Sequence, residues 1–85
     1  MPTIYKTTGE TVEVKREKPF SLEELQKLVG GYIELVPVGK KYLVVNEEGR
    51  ILDLPLNVNA SALVAPYGYD CIVGDAVLTE KRWIR

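Results

Sequence analysis

Apolar and polar residues alternate over Thr3-Ile4-Tyr5-Lys6 and again over Thr11-Val12-Glu13-Val14-Lys15, on either side of the turn-forming trio Thr8-Gly9-Glu10. A period of two predicts strands with one wet face, here paired as a hairpin with Ile4, Val12 and Val14 inward. The pattern then changes. Leu22, Leu25, Leu28 and Val29 fall on one side of a 3.6-residue repeat, with Glu23 and Lys27 spaced to pair on the other. Ser21 and Glu24 have the spacing of a capping box, and Phe20 can staple to Leu25 across it. Gly30 supplies a left-handed end to this helix, and Gly31 lets the chain turn back.

Strand formers dominate Tyr32–Val38 and Lys41–Glu47, and the short Gly39-Lys40 link between them forces antiparallel pairing. After the turn Asn46-Glu47-Glu48-Gly49, the run Ile51-Leu52-Asp53-Leu54 completes a three-strand meander, whose third strand ends or lies at an edge at Pro55. Asn59 is a candidate N-cap for a short helix over Ala60–Ala65, with Pro66 as its stop. Tyr67-Gly68-Tyr69-Asp70 makes a loop. Cys71-Ile72-Val73 and Ala76-Val77-Leu78 make a last strand, bent at Gly74-Asp75. The fold class is therefore α+β: a small, mostly antiparallel sheet with one capped helix and one short helix.

The capped helix, at roughly 1.5 Å per residue, is about 13 Å long, whereas four or five strands spaced about 4.8 Å apart spread to about 20 Å. One such helix is too small a lid for that sheet. The expectation is a homo-oligomer, dimer or tetramer, with copies shielding one another through unpaired strand edges and the Trp83 tail. With 85 residues the chain is one domain, and it buries only about 60% of its unfolded surface.

Composition removes function classes more readily than it names one. The chain has no histidine, so the commonest general base, the commonest metal ligand and all Ser-His and Cys-His nucleophile arrangements are missing. No cofactor, metal or catalytic set is expected. Eleven Lys and Arg balance twelve Asp and Glu, which provides no basic field for a nucleic-acid polymer or an anionic membrane. The longest apolar runs, such as Tyr42–Val45, fall far short of the roughly 20 residues that cross a bilayer, and the N-terminus has no signal-peptide core. Cys71, the one cysteine, has the surroundings of a small buried hydrophobe and suits a reducing, cytoplasmic compartment.

Paired carboxylates at Glu47-Glu48 with Asp53 have the spacing of exposed turn residues, and Gly30-Gly31 ends a helix where a phosphate cradle would open one. The remaining candidates belong to non-covalent recognition. Asn46, Asn57 and Asn59 carry amides that either cap turns and helices or read the polar edge of a ligand. Tyr32, Tyr67 and Tyr69 are either packing residues or platforms for a flat ligand. Lys40, Lys41, Arg50 and Arg82 are either solvated charges or phosphate contacts, Lys40 and Arg82 completing the candidate ligand-binding set.

The run Leu28-Val29-Gly30-Gly31-Tyr32-Ile33-Glu34, then Val45-Asn46-Glu47-Glu48-Gly49, Leu54-Pro55 with Asn57 and Ala60–Ala62, and Ile72-Val73-Gly74-Asp75, resembles a family of short bacterial, plasmid and phage proteins of unknown function. The likeness covers about residues 20 to 78 and carries no catalytic signature. By analogy of size and residue inventory, the anti-CBASS sponge proteins of phages imply a non-enzymatic oligomer that sequesters a cyclic nucleotide defence signal, such as a cyclic dinucleotide, in the host cytoplasm. Tyrosines would stack on bases, asparagines read polar edges, and Lys or Arg meet phosphates. The alternative is a protein-interaction module that inhibits a host or defence protein through an exposed strand edge. A small hydrolase working with Glu and Asp alone is a third class.

Overall fold

The structure, a computed structural model, describes residues 2–84. Its centre is a pair of strands whose side chains are buried on both faces: β4 (Lys41–Asn46) and β5 (Ala76–Glu80). A strand covered on both sides becomes a continuous apolar run, as Leu43-Val44-Val45 and Ala76-Val77 do. Outside them lie β1 (Thr3–Tyr5), β2 (Thr11–Glu13) and β3 (Ile33–Val38), in the spatial order β2-β1-β5-β4-β3. Every neighbouring pair is antiparallel.

Each face has its own helix. Helix α1 (Leu22–Val29) packs Leu25 and Val29, with Phe20, on Val44 and Val77, and Ile4, Val14, Ile33 and Trp83 fill in around them. Helix α2 (Val58–Val64) packs Ala60 and Val64 on Val36, Leu43, Val45 and Ala76 on the opposite face. The alternation of Leu43, Val44 and Val45 between the two clusters follows from the two-residue period of a strand.

Helix α1 starts as its sequence dictates. The Ser21 hydroxyl accepts from the Glu24 N–H at 3.1 Å, the Glu24 carboxylate accepts from the Ser21 N–H at 3.1 Å, and Phe20 and Leu25 are both buried beneath the cap. Arg16 reinforces this start. Its guanidinium donates to both Glu24 oxygens at 2.8 and 3.0 Å and to the Lys18 and Pro19 carbonyls, while lying 4.2 Å over the Phe20 ring. Within the charged run Lys15–Lys18, Arg16 is thus part of the start of α1. Leu22, expected on the core side, is exposed.

Three expectations are corrected. Ile51–Leu54 is not a strand. The chain from Asn46 to Leu54 coils on itself, with the N–H of Gly49 on Asn46 C=O, of Leu52 on Glu48 C=O and of Leu54 on Gly49 C=O. β5 occupies the place beside β4 that a meander's third strand would take. Second, the N-cap of the short helix is Asn57, two residues before the expected Asn59, and Pro66 opens a 3-10 turn (Ala65–Tyr67) that continues from α2. Third, Cys71-Ile72-Val73 is a loop joined to Leu56 by one bridge at Val73, and Cys71 is exposed. The expectation that the capped helix leaves the sheet uncovered is also corrected, because α2 packs on the other face. Arg85, at the end of the Trp83 tail, lies outside the described residues.

Asn57 fixes α2 to the sheet. Its side chain is fully buried, its oxygen accepts from the Ala60 N–H at 3.1 Å, and its amide donates to Tyr5 C=O at 2.7 Å and Gly74 C=O at 2.9 Å. Both N–H donors of that amide and its oxygen are engaged within the fold. Asn57→Ala leaves a helix uncapped and two carbonyls, one buried and one partly buried, short of a donor, and is expected to cost about 2–4 kcal/mol in urea unfolding.

Acid provides a second check. Hydrogen bonds from Arg16 and from the Ser21 N–H lower the Glu24 carboxyl from 4.5 to about 2. A carboxyl depressed in the folded state contributes stability above its unfolded value, and that contribution disappears as pH falls from about 4.5 through about 2. Glu24→Gln is expected to flatten the acid limb of the stability profile in that window, measured by denaturant titration at each pH.

Candidate functional site

Coiling of residues 46–54 opens a cleft of about 220 Å³ on the α2 side of the sheet, at the far end of β3 and β4 from their connecting turn. Its floor is Val36, Val45 and Asn46, and its walls are the 47–51 turn and the 69–73 loop. Asn46 builds the floor. It is buried, its amide donates to Val29 C=O at the end of α1 at 3.1 Å, and its oxygen accepts from the Glu48 N–H at 2.8 Å. One side chain therefore ties a helix end, a strand end and the turn.

Two glycines set the approach of these parts. A Cβ on Gly49 would lie 2.8 Å from Val73 Cγ2, and one on Gly31 would lie 3.0 Å from the Asn46 amide nitrogen. Glycine at 49 lets the turn sit against Val73, and glycine at 31 leaves the Asn46 amide room that a Cβ would crowd.

The charges around the cleft are mixed and acidic on balance. Glu34, Glu47 and Asp70 face it together with Arg50. Arg50 donates to Cys71 C=O at 3.2 Å, sits 3.7 Å from the Asp70 carboxylate and 3.7 Å from the Cys71 sulfur. The Arg50–Asp70 pair is well exposed, so it holds the loop only weakly. Ile51 is 81% exposed and Leu52 52%, and with the half-exposed Tyr69 they form an apolar rim on an acidic hollow.

The candidate residues from the sequence do not converge. Asn46 and Tyr69 line this cleft. Tyr67 lies at the other end of the hairpin, where a Cβ on Gly39 would come within 3.1 Å of its hydroxyl, beside the exposed Lys40. Tyr32 is exposed at the α1–β3 junction, and the Asn59 amide donates to Gly9 C=O at 3.2 Å on the β1–β2 turn. Asn57 is interior. Arg82 is near the C-terminus, 3.4 Å from the Glu80 carboxylate and 5.6 Å over the Trp83 ring. There, with Glu17, Pro19 and Trp83, it lines a shallow second hollow. The Trp83 indole N–H is buried without a hydrogen-bond partner among the described residues, a local cost of about 1–3 kcal/mol.

Among the described residues no group of three or more His, Cys, Asp or Glu is arranged to hold a metal ion, and no helix is long and apolar enough to cross a membrane. Glu34, Glu47, Arg50, Ile51 and Asp70 line the cleft without having been in the candidate ligand-binding set. The signal for them was the turn Glu47-Glu48-Gly49-Arg50, which sequence alone assigned to a simple connection.

Residues 1–82 match the family model described as a domain of unknown function (DUF3846), and the chain belongs to that family. No curated protein and no solved structure matches the chain.

Proposed function

We propose that this protein is a non-enzymatic interaction module that docks on a partner protein through the rim and hollow formed by the 47–54 turn and the 69–73 loop. The observation that carries this reading is the display of Ile51 and Leu52 to solvent by a self-bonded turn, beside a cleft holding Tyr69 and three carboxylates. Large apolar side chains grouped next to an aromatic mark interaction surfaces. The excess of carboxylate over guanidinium suits a partner that brings a Lys or Arg side chain, and it opposes the phosphates of a nucleotide. The volume also falls below the about 300–1,000 Å³ of small-molecule sites.

Sequestration of a cyclic nucleotide draws less support, because its tyrosines, asparagines and basic residues lie at separate places on the molecule. The likeness to short phage and plasmid proteins implies a host or defence protein as the partner, and an exposed free Cys71 is compatible with a reducing bacterial cytoplasm.

Burying Ile51 and Leu52 is worth about 1.5–3 kcal/mol each. The double variant I51D/L52D is therefore expected to lose at least tenfold in partner retention during quantitative affinity purification from a bacterial host, while keeping its circular dichroism spectrum. Retention unchanged in that variant would sink the docking face. Depletion of free cyclic dinucleotide by the protein, with recovery after heating and no dependence on Ile51, would restore the nucleotide reading in its place.

A further inference from the structure

The sheet leaves β3 with a neighbour on one side alone. β3 and β4 are joined by the two residues Gly39-Lys40, and Val38 faces Lys41 across that turn. A two-residue hairpin closes on a hydrogen-bonded pair, after which bonded and outward-facing residues alternate. Glu34, Val36 and Val38 thus bond to β4. Ile33, Leu35 and Pro37 direct their backbone groups to the open edge. Pro37 has no N–H, so the edge offers two donors and three acceptors, and a proline here belongs to an edge strand.

We propose that this edge pairs with the same edge of a second copy, antiparallel about a two-fold axis at Leu35, joining two five-stranded sheets into one. In that register Leu35 faces the partner's Leu35, and Ile33 faces the partner's Pro37. Both N–H groups of each edge then find acceptors: Leu35 on the partner's Leu35 C=O, and Ile33 on the partner's Pro37 C=O. The missing proline donor leaves only the Ile33 carbonyl at each end of the seam, where water reaches it.

Side chains select this register over its neighbour. Ile33, Leu35 and Pro37 all lie on the α1 face, Leu35 41% exposed, so pairing lays one apolar row against another. Sliding by one step toward the N-terminal end of β3 also satisfies both donors, but places Glu34 directly opposite the partner's Glu34, where like charges repel.

Charge sets the direction of pairing as well. The hairpin is basic at its turn, Lys40-Lys41, and acidic at its base, Glu34 with Glu47-Glu48, all exposed. Antiparallel pairing lays each basic turn alongside the partner's acidic base. Parallel pairing would bring like ends together. Because Glu34 and Val36 also line the cleft, the dimer sets two clefts side by side across the seam and would offer the docking face twice. The pairing itself does not depend on that docking reading.

Sedimentation velocity tests the arrangement on the intact chain. Wild type is expected to sediment as a dimer. Leu35→Lys, placing a charge in the apolar row, is expected to halve the mass, with circular dichroism confirming the fold. The charge reversals K40E/K41E and E47K/E48K are each expected to be monomeric alone, each having two like ends. Mixed in equal amounts they are expected to form a heterodimer, since each end then meets its opposite. A monomeric wild type overturns the proposal. So does a dimer that survives Leu35→Lys, or a pair of reversals whose mixture stays monomeric.

Discussion

Antiparallel pairing between β4 and β5, apolar on both sides, dictates the organisation of this molecule. Leu43, Val44, Val45, Ala76 and Val77 leave neither face of the central pair tolerable to water. Each face therefore requires a cover, and the chain supplies one from each side of β3 and β4 in sequence: α1 before them, α2 after. The covers are short, yet they suffice because β1 and β2 carry only half-buried or exposed residues and β3 adds a single buried one, Val36, beneath α2.

This arrangement explains what could be read from sequence. Helix α1 was legible because its start is local: Ser21, Glu24, Phe20 and Leu25 specify one another within six positions, and Gly30 ends what they begin. The β3–β4 hairpin was legible for the same reason. Asn57 was not, because Asn57 and Asn59 look alike as caps until Tyr5 and Gly74 arrive from distant parts of the chain to engage one of them. The assignment of Ile51–Leu54 as a strand failed through competition. Its composition permits a strand, but β5 is the better partner for β4, and Gly49 packed on Val73 locks the turn in its coiled form.

The same competition created the candidate site. Ile51 and Leu52, which composition assigns to a core, lie at the surface because β5 fills the place beside β4, and a hollow lies next to their turn. The tyrosines and asparagines that stood out in the sequence are mostly structural in location or isolated from one another, since amide and phenol chemistry serves turns and caps as readily as ligands. What sequence could not supply was the grouping, which depends on contacts between the 47–54 and 69–73 segments such as that of Arg50 with Cys71, 21 positions apart.

The position of β5 between β1 and β4 has a consequence for biosynthesis. Until the ribosome has released residues 76–80, the polypeptide holds two hairpins with no strand to bridge them, one from residues 3–13 and one from residues 33–46. Assembly must wait for the final strand to slot into the gap, so closure of the sheet is a late, long-range event. A nascent or truncated chain displays the interior flanks of both hairpins, which makes premature termination before residue 76 a direct route to aggregation.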